Sequence, residues 1–556
     1  MRILLLAHSF NSLTQRLWCE LGERGHELSL ELDISDEVTA EAVALHAPDV
    51  VIAPFLKRAI PERVWRRVPC LIVHPGIPGD RGPAALDWAI LEGRREWGVT
   101  VLEASAEFDA GDVWASAGLA MRAATKASLY RDEVAAAAVA AVLAALERRA
   151  AGVPATPLGA LDPAVAGRWH PSLPAAERRI DWQVDRTEEV LVKLRAADSS
   201  PGVADEILGV PCRLYDARPA APVAGARPGA WLGRAGESLL RATRDGAVWI
   251  GHARREEPGA FKLPALAACP AAAALPAVAP GAADPVRYRE SGAVGYLSFD
   301  FYNGAMSTAL CRRLADALDA ARARPTRVLV LEGGRDFWSN GIHLNVIEAA
   351  ASPADESWRN IEAIDDVAER IVRLEDRLTV AAVRGNAGAG GAFLALAADH
   401  VWMRPGVVLN FHYRNMGNLY GSELWTYTLP RRVGADAAAR VMAQRQPLLG
   451  RQAAAVGLAD AAFGADAAEF AAEVQERAER LASAADYAAL LAAKRARRAA
   501  DERARPLAAH RAFELERMRR SFYGFDTSYH VARHRFVHKA PHSWTARHLA
   551  RHRAGG

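Results

Sequence analysis

Apolar runs alternate with helical patterns through the first third of the chain. Residues 3–7 form a short apolar run, as in a buried parallel strand. Leu13, Leu17 and Leu21 then repeat every four residues, which predicts one buried helix face. Because strands that alternate with helices build βαβ units, the pattern predicts an α/β domain with a parallel sheet. Further strand-like runs lie at residues 28–32, 50–53 and 71–74.

The alternation restarts in the second half of the chain. Residues 295–300, 328–331 and 379–383 are strand-like, and a repeat of Leu310, Leu314 and Leu318 predicts a helix between the first two. Between the halves, residues 263–283 carry no charge and are mostly alanine and proline. Prolines at that density break a helix, so we interpret this stretch as a linker and not as a membrane span.

The composition is that of an ordinary globular chain. Of the 556 residues, 51% are hydrophobic and 24% are charged, which excludes wholesale disorder. Lys and Arg number 69 against 66 Asp and Glu, a net charge of +3, so the basic bias typical of a nucleic-acid-binding protein is missing. At roughly 150 residues per domain, the length predicts about three or four domains.

The cysteines and the N-terminal apolar run indicate in which cellular compartment the protein is expected. None of the five cysteines lies in a C-x-x-C pair, which disfavours a disulfide framework or a cysteine-based zinc site and favours a reducing compartment. The apolar run at residues 3–7 is too short for the core of a signal peptide. We therefore expect a cytoplasmic protein.

The turn after the first predicted strand disfavours a dinucleotide cofactor. It reads HSFNSLTQ and contains no glycine. A Rossmann fingerprint needs glycines there so that the backbone can approach the pyrophosphate. NAD or FAD bound in that manner is therefore not expected.

A histidine and an aspartate form the first candidate pair. His74 ends a predicted strand, where parallel sheets bind ligands, and Asp109 lies in a second turn, FDAGD. An imidazole and a carboxylate that converge can move protons during acyl transfer. The alternative is a capping histidine and a turn aspartate without a catalytic role.

The stretch around this pair carries four short motifs in order. They are His74-Pro75, Arg81-Gly82, Gly98-Val99-Thr100 and Phe108-Asp109-Ala110-Gly111-Asp112. In this order they resemble the pattern N-x-H-P, R-G, G-V-T and L-D-x-G-D of the folate-dependent formyltransferases of methionyl-tRNA and glycinamide ribonucleotide. The resemblance implies proton-handling roles for His74 and Asp109, N10-formyl-tetrahydrofolate as formyl donor, and a folate site that includes Ile72, Arg81 and Phe108.

One residue departs from that family pattern. Ile72 stands where the family has an asparagine that donates a hydrogen bond to the formyl oxygen. Losing such a donor typically costs about 10²–10³ in rate. Either another group replaces it, or the formyl group moves to an intrinsically more reactive acceptor such as a thiol.

Two further features lie between the candidate pair and the linker. The run ERRIDWQVDRTEEVLVKLRAADSSPG from Glu177 resembles the start of the formyltransferase C-terminal domain, which implies a small β-barrel-like subdomain to about residue 262. Ser128 is interpreted as a helix N-cap. Arg131 then falls in the first helical turn, either as a solvated side chain or as a contact for an anion such as a phosphate of coenzyme A.

Two glycine clusters follow strands in the second half. They lie at residues 333–344 and 385–391. Each cluster either supplies a backbone N–H to a two-donor oxyanion hole or only allows tight packing of helix on sheet. In order, they resemble the two hole motifs of the crotonase (enoyl-CoA hydratase/isomerase) family. That resemblance covers residues 286–465 and implies that the N–H groups of Ile342 and Gly390 bind a thioester carbonyl.

The carboxylates of the hydratases are absent at the matching positions. Phe393 replaces the first glutamate, and the second aligns with Tyr413 or its neighbour His412. Without a carboxylate pair to activate water, ordinary enoyl hydration is not expected. Tyr413 and Glu423 offer a phenol and a carboxylate for acid–base work on a very small acyl group. The alternative is that both lie on a helix surface.

From residue 466 onward, the sequence first predicts helices and then becomes basic. Alanine, arginine and glutamate at helical spacings from residue 466 to about 520 predict packing helices. The final segment carries many of the 16 histidines. It is open whether this segment binds metal, folds over a groove to meet phosphates, or is simply a solvated tail, which is the default.

A formyl-folate domain fused to a crotonase domain resembles the HoxX/HypX family of hydrogenase maturation proteins, and the run FHYRN-x-G-x-LYGSE is its most specific match. The resemblance implies an enzyme that makes carbon monoxide for [NiFe]-hydrogenase. In the implied chemistry, formyl passes from formyl-folate to coenzyme A, and formyl-CoA then loses CO. It implies these two small molecules and hydrogenase iron-ligand assembly proteins as partners, and no metal ligands.

Two other functions stay open on the sequence. One is hydrolysis of formyl-CoA or formyl-folate to formate, and the other is a scaffold that binds folate and coenzyme A without turnover. We expect an α/β multidomain fold with a Rossmann-like formyltransferase domain, a β-barrel-like subdomain, a linker, a crotonase domain, and C-terminal helices with a basic tail. The expected bounds are 1–160, 161–262, 263–285, 286–465 and 466–556.

Overall fold

The computed structural model describes residues 1–162, 166–411 and 413–553. The chain divides into two compact units. The first consists of Met1–Ala283 together with Pro541–Gly556, and the second is Asp284–Ala540. The expected α/β multidomain architecture is confirmed.

The first unit begins with a six-stranded sheet in the order β2-β1-β3-β4-β5-β6. Strands β1 to β4 are parallel, as the pattern predicts, but β5 is antiparallel to β4 and β6 to β5. The strands are β1 (Arg2–Ala7), β2 (Glu27–Leu32), β3 (Val50–Phe55), β4 (Cys70–His74), β5 (Glu96–Glu103) and β6 (Val113–Ala120). The helices are α1 (Ser12–Glu23), α2 (Asp36–His46), α3 (Glu62–Trp65), α4 (Ala85–Leu91), α5 (Lys126–Leu129) and α6 (Ala135–Ala150).

The interpretation of Ser128 as an N-cap is wrong. Helix α5 begins one turn earlier, because the Thr125 hydroxyl already accepts a hydrogen bond from the Ser128 N–H at 3.2 Å. A π-helical turn, Tyr130–Val134, then joins α5 to α6. Arg131 is half-buried on that turn, inside a continuous helix rather than at its start.

An antiparallel sheet forms the second part of this unit, with strand order β7-β8-β11-β10-β9 and β12 paired to β11. Part of the Ala/Pro-rich stretch belongs to it, because Ala265, Cys269 and Ala272 are buried in its core. Its elements are α7 (Ala175–Arg178), α8 (Thr187–Ala197), β7 (Val203–Ile207), β8 (Val210–Ala220), β9 (Trp231–Ala235), β10 (Ser238–Ala242), β11 (Ala247–Arg255), β12 (Leu263–Pro264) and α9 (Ala265–Ala268).

The chain from Pro541 packs against β2. The Leu30 N–H donates to the Leu549 carbonyl at 3.0 Å, and the fully buried His552 ring lies 3.0 Å from the Glu31 carboxylate. Burial alone would raise the pKa of Glu31, but hydrogen bonds from His552 and Thr545 outweigh it and hold that pKa below its usual value. The default interpretation of a solvated tail is therefore wrong, because polar groups of this segment satisfy a buried carboxylate.

The second unit contains two sheets, in the orders β13-β14-β15-β17-β19-β22 and β16-β18-β20-β21. The first carries the core of the unit, with β14, β15, β17, β19 and β22 parallel. The strands are β13 (Val286–Ser291), β14 (Val294–Phe299), β15 (Val328–Gly333), β16 (Phe337–Ser339), β17 (Leu378–Val383), β18 (Asn386–Gly388), β19 (His400–Met403), β20 (Val408–Asn410), β21 (Leu448–Leu449) and β22 (Ala461–Ala462).

Helices complete the second unit. Across the described residues, no helix is both long and apolar enough to span a membrane. The helices are α10 (Thr308–Arg322), α11 (Leu344–Ala349), α12 (Pro353–Val372), α13 (Gly390–Leu396), α14 (Trp425–Val433), α15 (Ala435–Gln444), α16 (Gly450–Ala455), α17 (Ala467–Ser483), α18 (Tyr487–Ala504), α19 (Leu507–Tyr523) and α20 (Ser528–Val537).

Candidate active sites

The first unit brings His74 and Asp109 together. His74 is the last residue of β4 and is buried, and its Nδ1 lies 3.5 Å from Asp109 Oδ1. Asp109 has a φ of +56°, and its second oxygen accepts a hydrogen bond from the Gly82 N–H at 3.2 Å. A left-handed turn and a backbone donor thus aim this carboxylate at the imidazole.

Asp80 is a second carboxylate on the same imidazole, and the sequence reasoning missed it. Its Oδ1 lies 2.8 Å from His74 Nε2, and its Oδ2 lies 3.1 Å from His170 Nδ1. Gly76 makes room for this contact, because a Cβ there would lie 2.5 Å from both Asp80 Oδ1 and His74 Nε2. Asp80 directly precedes the Arg81-Gly82 motif, which is the signal that could have drawn attention to it.

We expect Asp80→Asn to slow formyl transfer about 10–10²-fold, because an amide cannot accept hydrogen bonds from both imidazoles and the His74 tautomer loses its anchor. The measurement is single-turnover loss of formyl-folate in the presence of coenzyme A. Asp112→Asn, which changes an exposed carboxylate between β5 and β6, is the matched control. Equal rates in both variants would contradict an anchoring role.

Three other residues were expected at the folate site, namely Arg81, Phe108 and Ile72. Arg81 Nη1 lies 2.5 Å from Glu107 Oε1, and Phe108 is 69% exposed beside Asp109. Ile72 lies two residues before His74, on the same face of β4, and packs against the apolar cluster of the sheet. The structure thus packs the side chain of this position into an apolar cluster.

We expect Ile72→Asn to destabilise the protein by about 1–3 kcal/mol without a large gain in formyl transfer, because the amide would lie unpaired among apolar neighbours. Urea unfolding gives the free energy of unfolding, and the transfer assay gives the rate. Ile72→Val retains the apolar surface and serves as control. A large gain in transfer rate would show that Ile72 is simply a defect.

In the second unit the two glycine clusters meet. Gly341 has a φ of +74°, and a Cβ there would lie 3.1 Å from the Gly390 nitrogen at the start of α13. Ile342 follows directly and bridges to Met306. The N–H groups of Ile342 and Gly390 thus belong to adjacent turns, as a two-donor oxyanion hole requires.

Tyr413 and Glu423 lie at these turns and are not on a helix surface. Tyr413 is 3% and Glu423 0% exposed, and the phenol donates a hydrogen bond to Glu423 Oε2. A Cβ at Gly390 would lie 2.1 Å from Glu423 Oε1. Among the described residues, Glu423 Oε1 has no hydrogen-bond partner. A buried carboxylate oxygen is therefore directed at the proposed hole.

Aromatic side chains exclude water from this carboxylate. Phe393, at the position of the first hydratase glutamate, stacks on Tyr413 with ring centroids 5.7 Å apart. Phe411 and Trp425 also contact the Phe393 ring. An apolar ring thus packs against the phenol that contacts Glu423.

Two further carboxyl groups hold the turn that presents Glu423. Glu423 and Leu424 have φ values of 61° and 59°. The Glu423 N–H donates to Asp365 Oδ1 at 2.7 Å, and the Leu424 N–H donates to Glu514 Oε2 at 2.9 Å. These contacts offset the strain of two consecutive left-handed residues. Asp365 and Glu514 lie far from Glu423 in sequence, so no local motif predicts them.

Burial and mutual repulsion shift the pKa values of this cluster. Burial and the charge of Asp365 raise the pKa of Glu423 well above its usual value. Burial raises the pKa of Asp365 to about 6 and that of Glu514 to about 8. Burial and Glu423 also raise the pKa of Tyr413 well above its usual value. Tyr413 is thus a neutral donor, and Glu423 is a strong base whenever it is ionised.

Two histidines adjoin these residues in the sequence, His343 after Ile342 and His412 before Tyr413. His343 is the N-cap of α11, and its Nδ1 accepts a hydrogen bond from the Val346 N–H at 3.3 Å. His412 lies outside the described residues.

Models of three known protein families match the chain. The formyl transferase family matches residues 29–146, and the formyl transferase C-terminal domain matches residues 172–267. The enoyl-CoA hydratase/isomerase family matches residues 290–547. The domains expected from the sequence motifs are thus present in the expected order.

Similar proteins extend over the whole chain. The hydrogenase maturation factor HoxX of Bradyrhizobium diazoefficiens is 56% identical over 555 residues, which covers 100% of this chain and 97% of that protein. The crystal structure of HypX from Aquifex aeolicus in complex with tetrahydrofolic acid superposes with a TM-score of 0.95 at 48% identity, over 100% of this chain and 99% of that one.

A shorter similarity covers less than half of the chain. The methionyl-tRNA formyltransferase of Burkholderia vietnamiensis is 30% identical over 244 residues, which is 42% of this chain and 72% of that protein. The family is assigned from two findings: the 56% identity to HoxX extends over the whole chain, and formyltransferase and crotonase domains occur in one chain. The chain belongs to the HoxX/HypX family of hydrogenase maturation factors.

Proposed function

We propose that this protein synthesises carbon monoxide for hydrogenase maturation in two steps. The first unit transfers a formyl group from N10-formyl-tetrahydrofolate to the thiol of coenzyme A, and the second unit decarbonylates formyl-CoA to CO and coenzyme A. The tetrahydrofolate complex of the HypX relative supports folate as the carrier, and the crotonase match supports an acyl-CoA substrate. The CO would become a ligand of the hydrogenase iron, with the assembly proteins of that metal site as partners.

In the first step His74 moves the protons. The thiol sulfur attacks the formyl carbon and loses its proton to His74, and the bond from carbon to N10 breaks as N10 receives that proton from His74. Asp80 holds the Nε2 atom of His74 at 2.8 Å, so the proton enters at Nδ1, and the Asp80 and Asp109 carboxylates stabilise the imidazolium that forms. A thiolate is intrinsically nucleophilic, which suits a site where Ile72 has replaced the donor to the formyl oxygen. Arg81 and Phe108 would contact the folate, and Arg131 a phosphate of coenzyme A.

In the second step Glu423 takes the proton from the formyl carbon. The C–H electron pair stays on carbon as the lone pair of CO, and the C–S bond breaks with its pair on sulfur. The proton then passes from Glu423 to the thiolate, so that coenzyme A leaves as the thiol. Tyr413 orients the carboxylate, while the N–H groups of Ile342 and Gly390 hold the formyl oxygen.

One observation carries the proposal of decarbonylation. Glu423 Oε1 is buried without a partner among the described residues and lies against the backbone of Gly390. An unpaired buried carboxylate is costly, so its retention beside an oxyanion hole indicates a group that acts on a bound acyl carbon. Hydration would need a second carboxylate, and Phe393 occupies its position.

The decisive experiment uses the purified full-length protein, N10-formyl-tetrahydrofolate and a substoichiometric amount of coenzyme A. Coenzyme A is regenerated in the second step, so CO should exceed coenzyme A and equal the formyl-folate consumed. A haem protein detects CO, and formate is measured in parallel. Formate without CO would show that the protein is a hydrolase, and no turnover of formyl-folate would favour a binding scaffold.

A further inference from the structure

Two histidines and a glutamate converge in the second unit, away from Tyr413 and Glu423. His534 Nδ1 lies 2.8 Å from Glu348 Oε1, and His538 Nε2 lies 3.3 Å from the same oxygen. The two imidazole rings have centroids 4.1 Å apart. The three ligand atoms all lie within 4.8 Å of one another. A single ion could therefore contact all three after small side-chain movements.

The fold presents these side chains in advance. His534 and His538 are four residues apart, at the end of α20, so both project from one side of the helix. Glu348 lies on α11. The His534 side chain is 61% exposed and that of Glu348 11%, so an ion can enter from solvent while the carboxylate is held in place.

The Glu348 carboxylate is held in one orientation. Arg533 Nε donates to Glu348 Oε2 at 2.7 Å. Because Arg533 occupies the other oxygen, Oε1 stays directed at the two imidazoles, as an outer hydrogen bond orients a metal-ligating carboxylate.

We propose that Glu348, His534 and His538 form a binding site for a divalent transition-metal ion, with Zn²⁺ as the best match. Two imidazole nitrogens and one carboxylate oxygen are ligands that Zn²⁺ prefers, and water fills the fourth tetrahedral position. A bound ion would replace the contacts that both imidazoles make with Glu348 Oε1. The carboxylate charge offsets part of the ionic charge, and the remainder faces solvent at His534.

The proposed metal site would connect helices α11 and α20 of the second unit. Glu348 lies six residues after Ile342, whose N–H belongs to the proposed oxyanion hole, and α20 lies near the end of the unit. An ion bound here would fasten α20 to the helix that begins just after this hole. Its first effect is therefore on the stability of the second unit rather than on the chemistry.

The test uses the full-length protein freed of metal by a chelator. Titration with Zn²⁺ against a chromogenic chelator should show one tight equivalent, and Zn²⁺ should raise Tm by mass action. His534→Gln and His538→Gln should each lower the affinity at least about tenfold and reduce the rise in Tm. His542→Gln, an exposed histidine of the same His-rich segment, is the matched control and should bind as the wild type does.

A second probe reports on geometry. Co²⁺ in place of Zn²⁺ should give the intense visible absorption of a four-coordinate site, and this absorption should vanish in His534→Gln but persist in His542→Gln. No Zn²⁺ uptake by the wild type at equimolar concentration would overturn the proposal. Equal affinity of the His534 and His542 variants would overturn it too, because it would place the ion elsewhere in the histidine-rich segment.

Discussion

Glu423→Gln should lower CO release from formyl-CoA about 10²–10⁴-fold while formyl transfer from folate to coenzyme A continues. The amide has nearly the shape of the carboxylate but cannot accept the formyl proton, so formyl-CoA should accumulate. The measurement is formyl-CoA and CO in the same reaction. Tyr413→Phe should act in the same direction, because the phenol that orients Glu423 Oε2 is lost.

Glu516→Gln provides the control, since this glutamate is exposed on α19 and does not contact the site. Normal CO release from Glu423→Gln would place the base elsewhere and refute the assignment. Loss of formyl transfer and decarbonylation together would instead indicate a folding defect of the variant, and Tyr413→Phe would then test the site.

The pH dependence of CO release gives an independent check of the same base. Burial and Asp365 raise the pKa of Glu423, so its protonated, inactive form persists to higher pH than for an ordinary carboxyl group. CO release from formyl-CoA should therefore rise with pH along an acid limb displaced upward. Asp365→Asn removes one of the raising charges and should move that limb to lower pH. A limb at the ordinary carboxyl pKa would contradict the role of Glu423.

His74→Ala should abolish CO production from formyl-folate, by about 10²–10⁴-fold, but spare CO production from supplied formyl-CoA. The imidazole is needed only while the thiol loses a proton and N10 gains one. Asp109→Ala should show the same division, since Asp109 Oδ1 faces His74 Nδ1.

The two substrates distinguish this role from a structural one. A general loss of folding would lower CO release from both formyl-folate and formyl-CoA. His26→Ala, a change of a partly exposed histidine before β2, controls for the removal of an imidazole and should leave both rates unchanged. Equal losses with the two substrates in His74→Ala would contradict separate sites for the two steps.

Local sequence patterns predicted most of the fold and the central residues of each candidate site. The apolar run at residues 3–7 and the leucine repeat from Leu13 correspond to β1 and α1, because periodicity reports directly which face is buried. The motif order brought out His74, Asp109, Gly390 and Glu423, which the structure places in two clusters. Their catalytic roles are still predictions.

The partners of those residues could not be predicted in the same way. Asp365 contacts Glu423 from 58 residues away, and Glu514 contacts Leu424 from 90 residues away, so only tertiary packing brings them together. Ser128 was misplaced because Thr125 is an equally good cap one turn earlier. The buried end of the chain was missed because its histidines and arginines resemble a solvated segment until Glu31 is known to face them.

The packing of the chain end against β2 determines how this protein can be cut into parts. β2 is the outermost strand of its sheet, and the segment from Pro541 covers it through the hydrogen bonds to Leu30 and Leu32. A fragment that stops at residue 283 would deprive Glu31 of Thr545, His552 and Arg553, and it would leave an uncovered strand edge, which favours aggregation. The amino-terminal unit is therefore not a contiguous piece of sequence. A functional fragment of the first unit would need residues 541–553, supplied as a fused or a separate peptide.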